Sequence, residues 1–315
     1  MDRVCATARQ DLLKCSPRRS ARPFRDRRRS KPIKSYQRYN AEYGKRLGIT
    51  IACVKQIKNV KTILSRLAGS LHPYRIAQRR LAKHASSRLL GGPFVGMKYI
   101  SEIYGSVLWP KLCGTYEREL NSTLHAMREI RPERIINVGA GEGYYAIGLL
   151  FTDMTQELIA FEASPDGRKL ISKLAEENLI NSNRLTVNAA CNQENLALSL
   201  IPTKRTVIIM DVEGYEDVLL NPDKVKGLAD AWLLVEMHDF YHPGLTDAII
   251  DRFRNSHKIT RINQEPRRRN EIPVDDFILD ILPDYYVMPL LHEFRPVNMH
   301  WLWMSPNSAC GPIAR

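Results

Sequence analysis

The chain has 315 residues, enough for one large domain or one domain with an appendage, and its hydrophobic (44%) and charged (26%) fractions are those of a globular protein. Its six cysteines are scattered without a C-x-x-C pair, which argues against a metal or disulfide framework and favours free thiols in a cytoplasmic, reducing compartment. No apolar run is long enough to predict a membrane span, and the N-terminus lacks the pattern of a secretory signal.

Positive charge is concentrated in the first 90 residues. They contain 24 lysines and arginines against 4 acidic residues, whereas the remaining 225 residues contain 23 basic and 30 acidic side chains. The formal net charge of +13 therefore describes neither part of the chain. A strongly basic segment favours contact with an anionic surface, and the acidic remainder needs a separate explanation.

Residues 1–46 are predicted to be a disordered basic arm, because dense like charge with little apolar periodicity cannot form a core. Their Arg- and Ser-rich composition also fits an organelle transit peptide. Residues 47–92 are predicted to be a basic amphipathic helical extension, with apolar residues at helical spacing between residues 51 and 67. Three interpretations of this extension stay open: a helix packed on the main domain, one bound to an anionic membrane surface, and one bound to nucleic acid.

Residues 93–315 alternate predicted helices with predicted strands. A helix over residues 117–130 leads into strands at Arg134–Val138, Glu157–Phe161, residues 185–189, Thr206–Met210 and Trp232–Met237, with helices over residues 166–178 and 216–220 between them and closing strands near residues 258–263 and 299–304. Strands without polar alternation, separated by helices, are typical of a parallel sheet covered on both faces. The predicted fold class is α/β, doubly wound.

The stretch I-N-V-G-A-G-E-G connects the first strand to the next helix. Ligands of open parallel sheets bind beyond the carboxyl ends of the strands, and glycines there allow positive φ and close approach of a ligand. The residues predicted to hold a ligand in this turn are Asn137, Gly139, Ala140, Gly141 and Gly143. Their G-x-G-x-G spacing differs from the dinucleotide pattern G-x-G-x-x-G, although a looser dinucleotide match stays open.

Glu162 ends the second strand in the stretch I-A-F-E-A-S-P. A carboxylate at this point can accept both hydroxyls of an adenosine ribose, and Ala163 follows it directly. The segment N-A-A-C-N after the third strand is predicted to add main-chain contacts near Ala190. These features predict an adenosine ligand, which dinucleotides and S-adenosylmethionine share.

Acidic residues follow the fourth and fifth strands. Asp211 and Glu213 come after strand four in I-M-D-V-E-G-Y-E, and the next strand ends in L-V-E-M-H at His238. A nicotinamide site has little use for several carboxylates, whereas a sulfonium donor is cationic and its acceptor hydroxyl must lose a proton. The acids therefore favour S-adenosylmethionine as the cofactor.

Three of these residues are predicted to be catalytic: His238, Asp211 and Glu213. His238 is the best candidate for a general base, because an imidazole with an ordinary pKa accepts protons at neutral pH. Three roles stay open for Asp211: it acts as the base itself, it orients His238, or it binds the acceptor hydroxyl. Glu213 is also predicted to support the turn into the following helix. A divalent cation held by these side chains stays open as an alternative, and no metal ligand is assigned.

The motifs N-V-G-A-G-E-G, A-F-E-A-S-P, I-M-D-V-E-G-Y-E-D-V-L and L-V-E-M-H together resemble the FkbM-type S-adenosylmethionine-dependent methyltransferases. The resemblance covers about residues 112–305 and implies a Rossmann-like class I methyltransferase sheet. It also implies O-methylation of a sugar, glycan or related small molecule. Two positions depart from the family pattern: Asn137 stands where Asp is usual, and Ala163 where Pro is usual.

Two further functions stay open. A nucleic-acid methyltransferase or binder would use residues 1–90, but this region has few aromatic residues and no recognisable binding module. A degenerate domain that binds the donor weakly and acts as a partner module is favoured only by Asn137. The sequence does not identify the methyl acceptor, because the loops that form acceptor pockets carry no transferable motif.

Overall fold

Seven strands form one mixed sheet at the centre of the part of the chain that the computed structural model describes, residues 71–295 and 297–310. The strands are β1 (Arg134–Val138), β2 (Glu157–Phe161), β3 (Leu185–Asn188), β4 (Thr206–Met210), β5 (Trp232–Met237), β6 (His257–Asn263) and β7 (His300–Pro306). Their order is β3-β2-β1-β4-β5-β7-β6. Strands β1 to β5 are parallel, and β7 is antiparallel to both β5 and β6. The predicted α/β, doubly wound, Rossmann-like fold is confirmed.

Helices cover both faces of this sheet. In chain order they are α1 (Pro73–Ala85), α2 (Leu108–Cys113), α3 (Asn121–Ile130), α4 (Tyr144–Phe151), α5 (Pro165–Glu177), α6 (Gln193–Ser199), α7 (Glu216–Leu219), α8 (Leu245–Phe253), α9 (Phe277–Ile281) and α10 (Asp284–Val287). The helix predicted over residues 117–130 begins as a 3-10 turn at Arg118–Leu120 and continues as α3. Among the described residues, no helix combines the length and the apolar character that crossing a membrane requires.

Adjacent residues of β1 contribute to two different cores. Ile135 packs in one hydrophobic cluster with Ile147 of α4 and Ile171 of α5. Ile136 packs in another cluster with residues of α6 and α8, among them Ile249. Successive side chains of a strand point to opposite faces, so a strand covered on both sides is apolar at every position. This arrangement explains the uninterrupted apolar runs of the central strands.

Helix α1 lies within the predicted extension 47–92, and its apolar face contacts the main domain. Ala77 and Leu81 are buried in a third cluster together with Leu279, Leu290 and Leu291. The arm predicted over residues 1–46 and the amphipathic helix predicted between residues 51 and 67 lie outside the described residues.

Candidate functional site

The glycine turn lies at the carboxyl end of β1, in the middle of the sheet. Gly139, Gly141 and Gly143 all have positive φ, of 76°, 55° and 100°. The main-chain N–H of Gly139 donates to the carbonyl of Phe161 at the end of β2, with N and O 2.9 Å apart. The turn is therefore joined to β2 before it enters α4.

Glu162 fixes this turn from the neighbouring strand. Its Oε2 accepts a hydrogen bond from the N–H of Gly141, and its Oε1 accepts one from the N–H of Ser164, both at 2.8 Å. The side chain is 7% exposed. Each carboxylate oxygen has a second lone pair, so Glu162 can still accept hydrogen bonds from a ligand.

A cavity of about 640 Å³ opens beside Glu162 and the glycine turn. We call it the donor cavity, after the methyl donor that the sequence predicts for this site. Its lining residues come from the ends of β1, β2 and β4, the segment after β3 and the segment before α2. They are Tyr104, Gly105, Val138, Gly139, Gly141, Phe161, Glu162, Ala163, Ala190, Cys191, Asn192, Asp211, Val212, Glu213, Tyr215 and Leu219. This volume is within the range of small-molecule sites.

Six of the residues predicted to bind the cofactor line the donor cavity: Gly139, Gly141, Glu162, Ala163, Ala190 and Asp211. The three other residues predicted to bind the cofactor do not line this cavity. Asn137 is buried in β1, where its Nδ2 donates to the carbonyl of Ile209 at 3.4 Å and its Oδ1 has no partner in the described part of the chain. Ala140 is buried in the turn, and Gly143 immediately precedes α4.

A second cavity of about 280 Å³ adjoins the first. We call it the acceptor cavity, after the methyl acceptor that the sequence predicts beside the donor. The two cavities share Gly105, Asp211 and Glu213. The other lining residues of the acceptor cavity are Ser106, Val107, Tyr116, Glu236, His238, Phe240, Tyr241, Glu293, Phe294, Arg295 and Met299. The three residues predicted to be catalytic therefore meet where the two cavities join.

His238 is the centre of a group of carboxylates. Its Nδ1 lies 2.6 Å from Oε1 of Glu216, and both side chains are almost fully buried. Its Nε2 lies 3.5 Å from Oδ1 of Asp211 and 3.5 Å from Oε2 of Glu213. Since a carboxylate only accepts hydrogen bonds, Glu216 holds a proton on Nδ1 and leaves Nε2 facing the two acids of the cavity junction.

This surrounding changes the acidity of both groups. Burial and the carboxylates of Glu117 and Glu213 raise the pKa of Asp211 to about 7, against the opposing influence of His238 and Arg295. Burial lowers the pKa of His238, but the hydrogen bond to Glu216 and the nearby Asp211 outweigh it, so that this pKa is raised. Both shifts favour the protonated form, so the two side chains at the junction of the cavities hold protons more readily than isolated ones do.

Arg295 is enclosed by three carboxylates on the far wall of the acceptor cavity. Its Nε donates to Glu293 at 2.8 Å, and its two other nitrogens donate to Glu236 and Glu117. Burial and the nearby Glu117 raise the pKa of Glu293 to about 7. The positive charge of Arg295 is thus already neutralised by protein groups, and the acceptor cavity keeps an excess of acid.

The segment before α2 contributes residues 104–107 to the walls of the two cavities, and this contribution was not predicted from the sequence. The segment is held in place by Glu142. Glu142 of the glycine turn accepts hydrogen bonds from the hydroxyls of Tyr99, at 2.7 Å, and Ser106, at 3.0 Å. It also forms a buried ion pair with Lys111. An acid within a glycine turn that otherwise carries small residues is the signal that could have identified this anchor.

Comparisons with known proteins find only distant similarity. No protein-family model matches the sequence. No curated protein matches it either. Among solved structures, the chain is similar to an rRNA methylase from Streptococcus thermophilus, with 11% identity over 60% of this chain and 97% of that chain and a TM-score of 0.39. It is similar to a putative O-methyltransferase from Klebsiella pneumoniae, with 12% identity over 57% and 77% of the two chains and a TM-score of 0.36. A third similar structure is M. jannaschii TYW2 in complex with AdoMet, with 13% identity over 58% and 74% and a TM-score of 0.34.

Proposed function

We propose that this chain is an S-adenosylmethionine-dependent O-methyltransferase whose acceptor is a hydroxyl of a sugar, glycan or related small molecule. The observation that carries the proposal is the junction of the two cavities at Asp211 and Glu213. A donor bound in one cavity and an acceptor bound in the other would meet at this junction. Methyl transfer needs just such an alignment of two reactants.

The donor cavity suits the ribose, the adenine and the sulfonium of S-adenosylmethionine. Glu162 offers carboxylate lone pairs to the two hydroxyls of the ribose, and the main chain near Ala190 lies beside the adenine in this proposal. The sulfonium, which is cationic, is attracted to Asp211 and Glu213. A dinucleotide would instead place an anionic pyrophosphate close to these acids, which is unfavourable.

The reaction moves one methyl group and releases one proton. The bond between the methyl carbon and sulfur breaks with its electron pair left on sulfur, while the hydroxyl oxygen bonds to the carbon. The hydroxyl proton leaves at the same step, and its departure has to be assisted because a sugar hydroxyl is a weak acid. In this proposal Asp211, Glu213 and His238 activate the hydroxyl, and the proton passes to Nε2 of His238 or to a carboxylate oxygen of one of the two acids, since these are the groups at the junction.

The proposal is tested by calorimetry of the full chain with S-adenosylmethionine and, separately, with NAD⁺. We expect S-adenosylmethionine to bind at one site per chain and Glu162→Ala to abolish that binding. The matched control is Glu177→Gln, a half-exposed carboxylate at the end of α5 that pairs with Lys98. Binding of NAD⁺ in place of S-adenosylmethionine, or unchanged affinity in Glu162→Ala, would contradict the proposal.

A further inference from the structure

We propose that Asp211, Glu213 and His238 bind a divalent metal cation of the Mn²⁺ type, and that this cation holds the acceptor hydroxyl at the junction of the cavities. The inference rests on the proposed methyl transfer, and it specifies how the three residues activate the hydroxyl. It is carried by the positions of their ligand atoms, by an atom without a hydrogen-bond partner on each of two residues, and by the charge of the cavity.

The ligand atoms of these residues converge on one point. One atom each from Asp211, Glu213 and His238 lies within 4.8 Å of the other two. The Nε2 of His238 is 3.5 Å from each of its two carboxylate neighbours. Two atoms bound to one cation at about 2.1–2.2 Å, with an angle of about 90–109° between them, are separated by about 3.0–3.5 Å. These two distances from Nε2 agree with a shared cation and are long for a direct hydrogen bond.

Two atoms in this group have no hydrogen-bond partner among the described residues. Oδ1 of Asp211 is buried and unpartnered among the described residues. His238 is 1% exposed, and its hydrogen bond within the described chain is made by Nδ1 to Glu216, which leaves Nε2 aimed at the two acids. A buried polar atom without a partner is unfavourable. A cation between these atoms would satisfy both of them.

Glu216 supports a metal site in a further way. Histidines that bind metals usually donate their other ring N–H to a carboxylate, which fixes the ring and makes it a better ligand. Glu216 is fully buried and lies 2.6 Å from Nδ1 of His238, so it has this position. Glu216 is thus a positioning residue, and His238 is the ligand.

The charge of the acceptor cavity also favours a cation. Its walls carry four carboxylates, those of Asp211, Glu213, Glu236 and Glu293, against the single guanidinium of Arg295. Glu236 and Glu293 are paired with Arg295, whereas Asp211 and Glu213 have no ion pair with a lysine or arginine among the described residues. A divalent cation would balance these two remaining charges. Two carboxylates with one imidazole suit Mn²⁺ better than the all-oxygen cations Mg²⁺ and Ca²⁺.

The test is a titration of the full chain with Mn²⁺ alone, without S-adenosylmethionine, in which the electron paramagnetic resonance signal of free Mn²⁺ is measured. We expect one saturable Mn²⁺ site per chain, a loss of this site in Glu213→Gln, and an affinity reduced about 10–100-fold in Glu216→Gln. Glu213 is two-thirds exposed, so that its substitution leaves the fold intact. The control is Asp251→Asn, an exposed acid of α8 that pairs with Arg254.

The results separate this inference from the proposed function. Binding of S-adenosylmethionine without a saturable Mn²⁺ site overturns the metal site alone and leaves His238 to accept the proton directly. Equal Mn²⁺ affinity in the wild type and Glu213→Gln also overturns it. A Mn²⁺ site that depends on Glu213, in a chain that does not bind S-adenosylmethionine, supports the metal site and contradicts the methyltransferase assignment.

Discussion

A Cβ atom added to Gly139 would lie 1.6 Å from the carbonyl oxygen of Asp211, so the turn after β1 contacts the end of β4 through main chain alone. The φ of Gly139 is 76°, in the region that side chains disfavour. Both properties require glycine at this position. The contact also places Asp211 directly beside the turn that we propose to hold the donor.

We expect Gly139→Ala to destabilise the chain by more than about 2 kcal/mol and to weaken S-adenosylmethionine binding at least about tenfold, since the clash adds to the cost of positive φ. The control is Gly96→Ala, because Gly96 has a φ of 86° but nothing within 4 Å of an added Cβ. It should cost about 1–2 kcal/mol and leave donor affinity unchanged. Urea unfolding and calorimetry provide the measurements. Equal effects of the two substitutions would show that the contact with Asp211 is unimportant.

His238→Asn is expected to lower kcat about 10²–10⁴-fold while the affinity for S-adenosylmethionine changes less than about threefold. The reason is that His238 lines the acceptor cavity and does not line the donor cavity. Transfer of a radiolabelled methyl group to one acceptor, together with calorimetry of the donor, measures both quantities. Comparable losses in the two measurements would mean that His238 shapes the pocket instead of acting on the acceptor.

Lys111→Met should destabilise the chain by about 3–5 kcal/mol, because it leaves the buried carboxylate of Glu142 without a counter-charge. The ammonium also lies over the ring of Tyr116, 4.6 Å from its centre. Adding Glu142→Gln to Lys111→Met should recover part of the loss, since it removes the unpaired charge. Free energies of unfolding from urea titration of the single and double variants test this expectation. A double variant less stable than Lys111→Met would contradict it.

The stability of the chain should depend on Asp276 in acid. Oδ2 of Asp276 accepts hydrogen bonds from Arg80 at 2.8 Å and His84 at 2.7 Å, and Oδ1 accepts from the N–H groups at the start of α9. Burial opposes ionisation, but these bonds outweigh it and hold the pKa of Asp276 well below its usual range. The carboxylate therefore stabilises the fold above about pH 4 and loses this contribution as the pH falls further.

Asp276→Asn measures that contribution. At pH 7 it should lower the free energy of unfolding by about 1–3 kcal/mol. The difference in Tm between the wild type and Asp276→Asn should shrink as the pH falls from about 5 to about 2, because the unfolded wild type takes up a proton on Asp276 in this range while the folded state still lacks it. A difference that stays constant over this range would show that the carboxylate contributes no charge-dependent stability.

The parallel half of the fold could be predicted from the sequence because its central strands β1, β4 and β5 are buried on both faces. Strands β1, β2, β4 and β5 begin and end where their apolar runs predict, and β3 is one residue shorter. The antiparallel direction of β7 could not be predicted. A strand of alternating large side chains such as Trp301 and Trp303 looks the same in either direction.

Part of the candidate site could likewise be predicted from the sequence, and part of it could not. Glu162, Asp211 and His238 could be found because each directly follows a predicted strand, and the ends of parallel strands meet at one edge of the sheet. The wall formed by the segment before α2 was not predicted, since its Ser106 is joined to Glu142 of the glycine turn, 36 residues further along the chain. Pairs of residues this far apart in the chain leave no local pattern.

The docking of α1 determines where the chain can be shortened. Removing residues 1–90, the whole basic region, would also delete Ala77 and Leu81, expose Leu279 and Leu290, and leave Asp276 without Arg80. A truncation made there would lose activity through misfolding, whatever the positive charge does. Removing only residues 1–70 keeps α1 and deletes 19 of the 24 basic residues of this region. This shorter truncation therefore isolates the effect of the positive charge on activity.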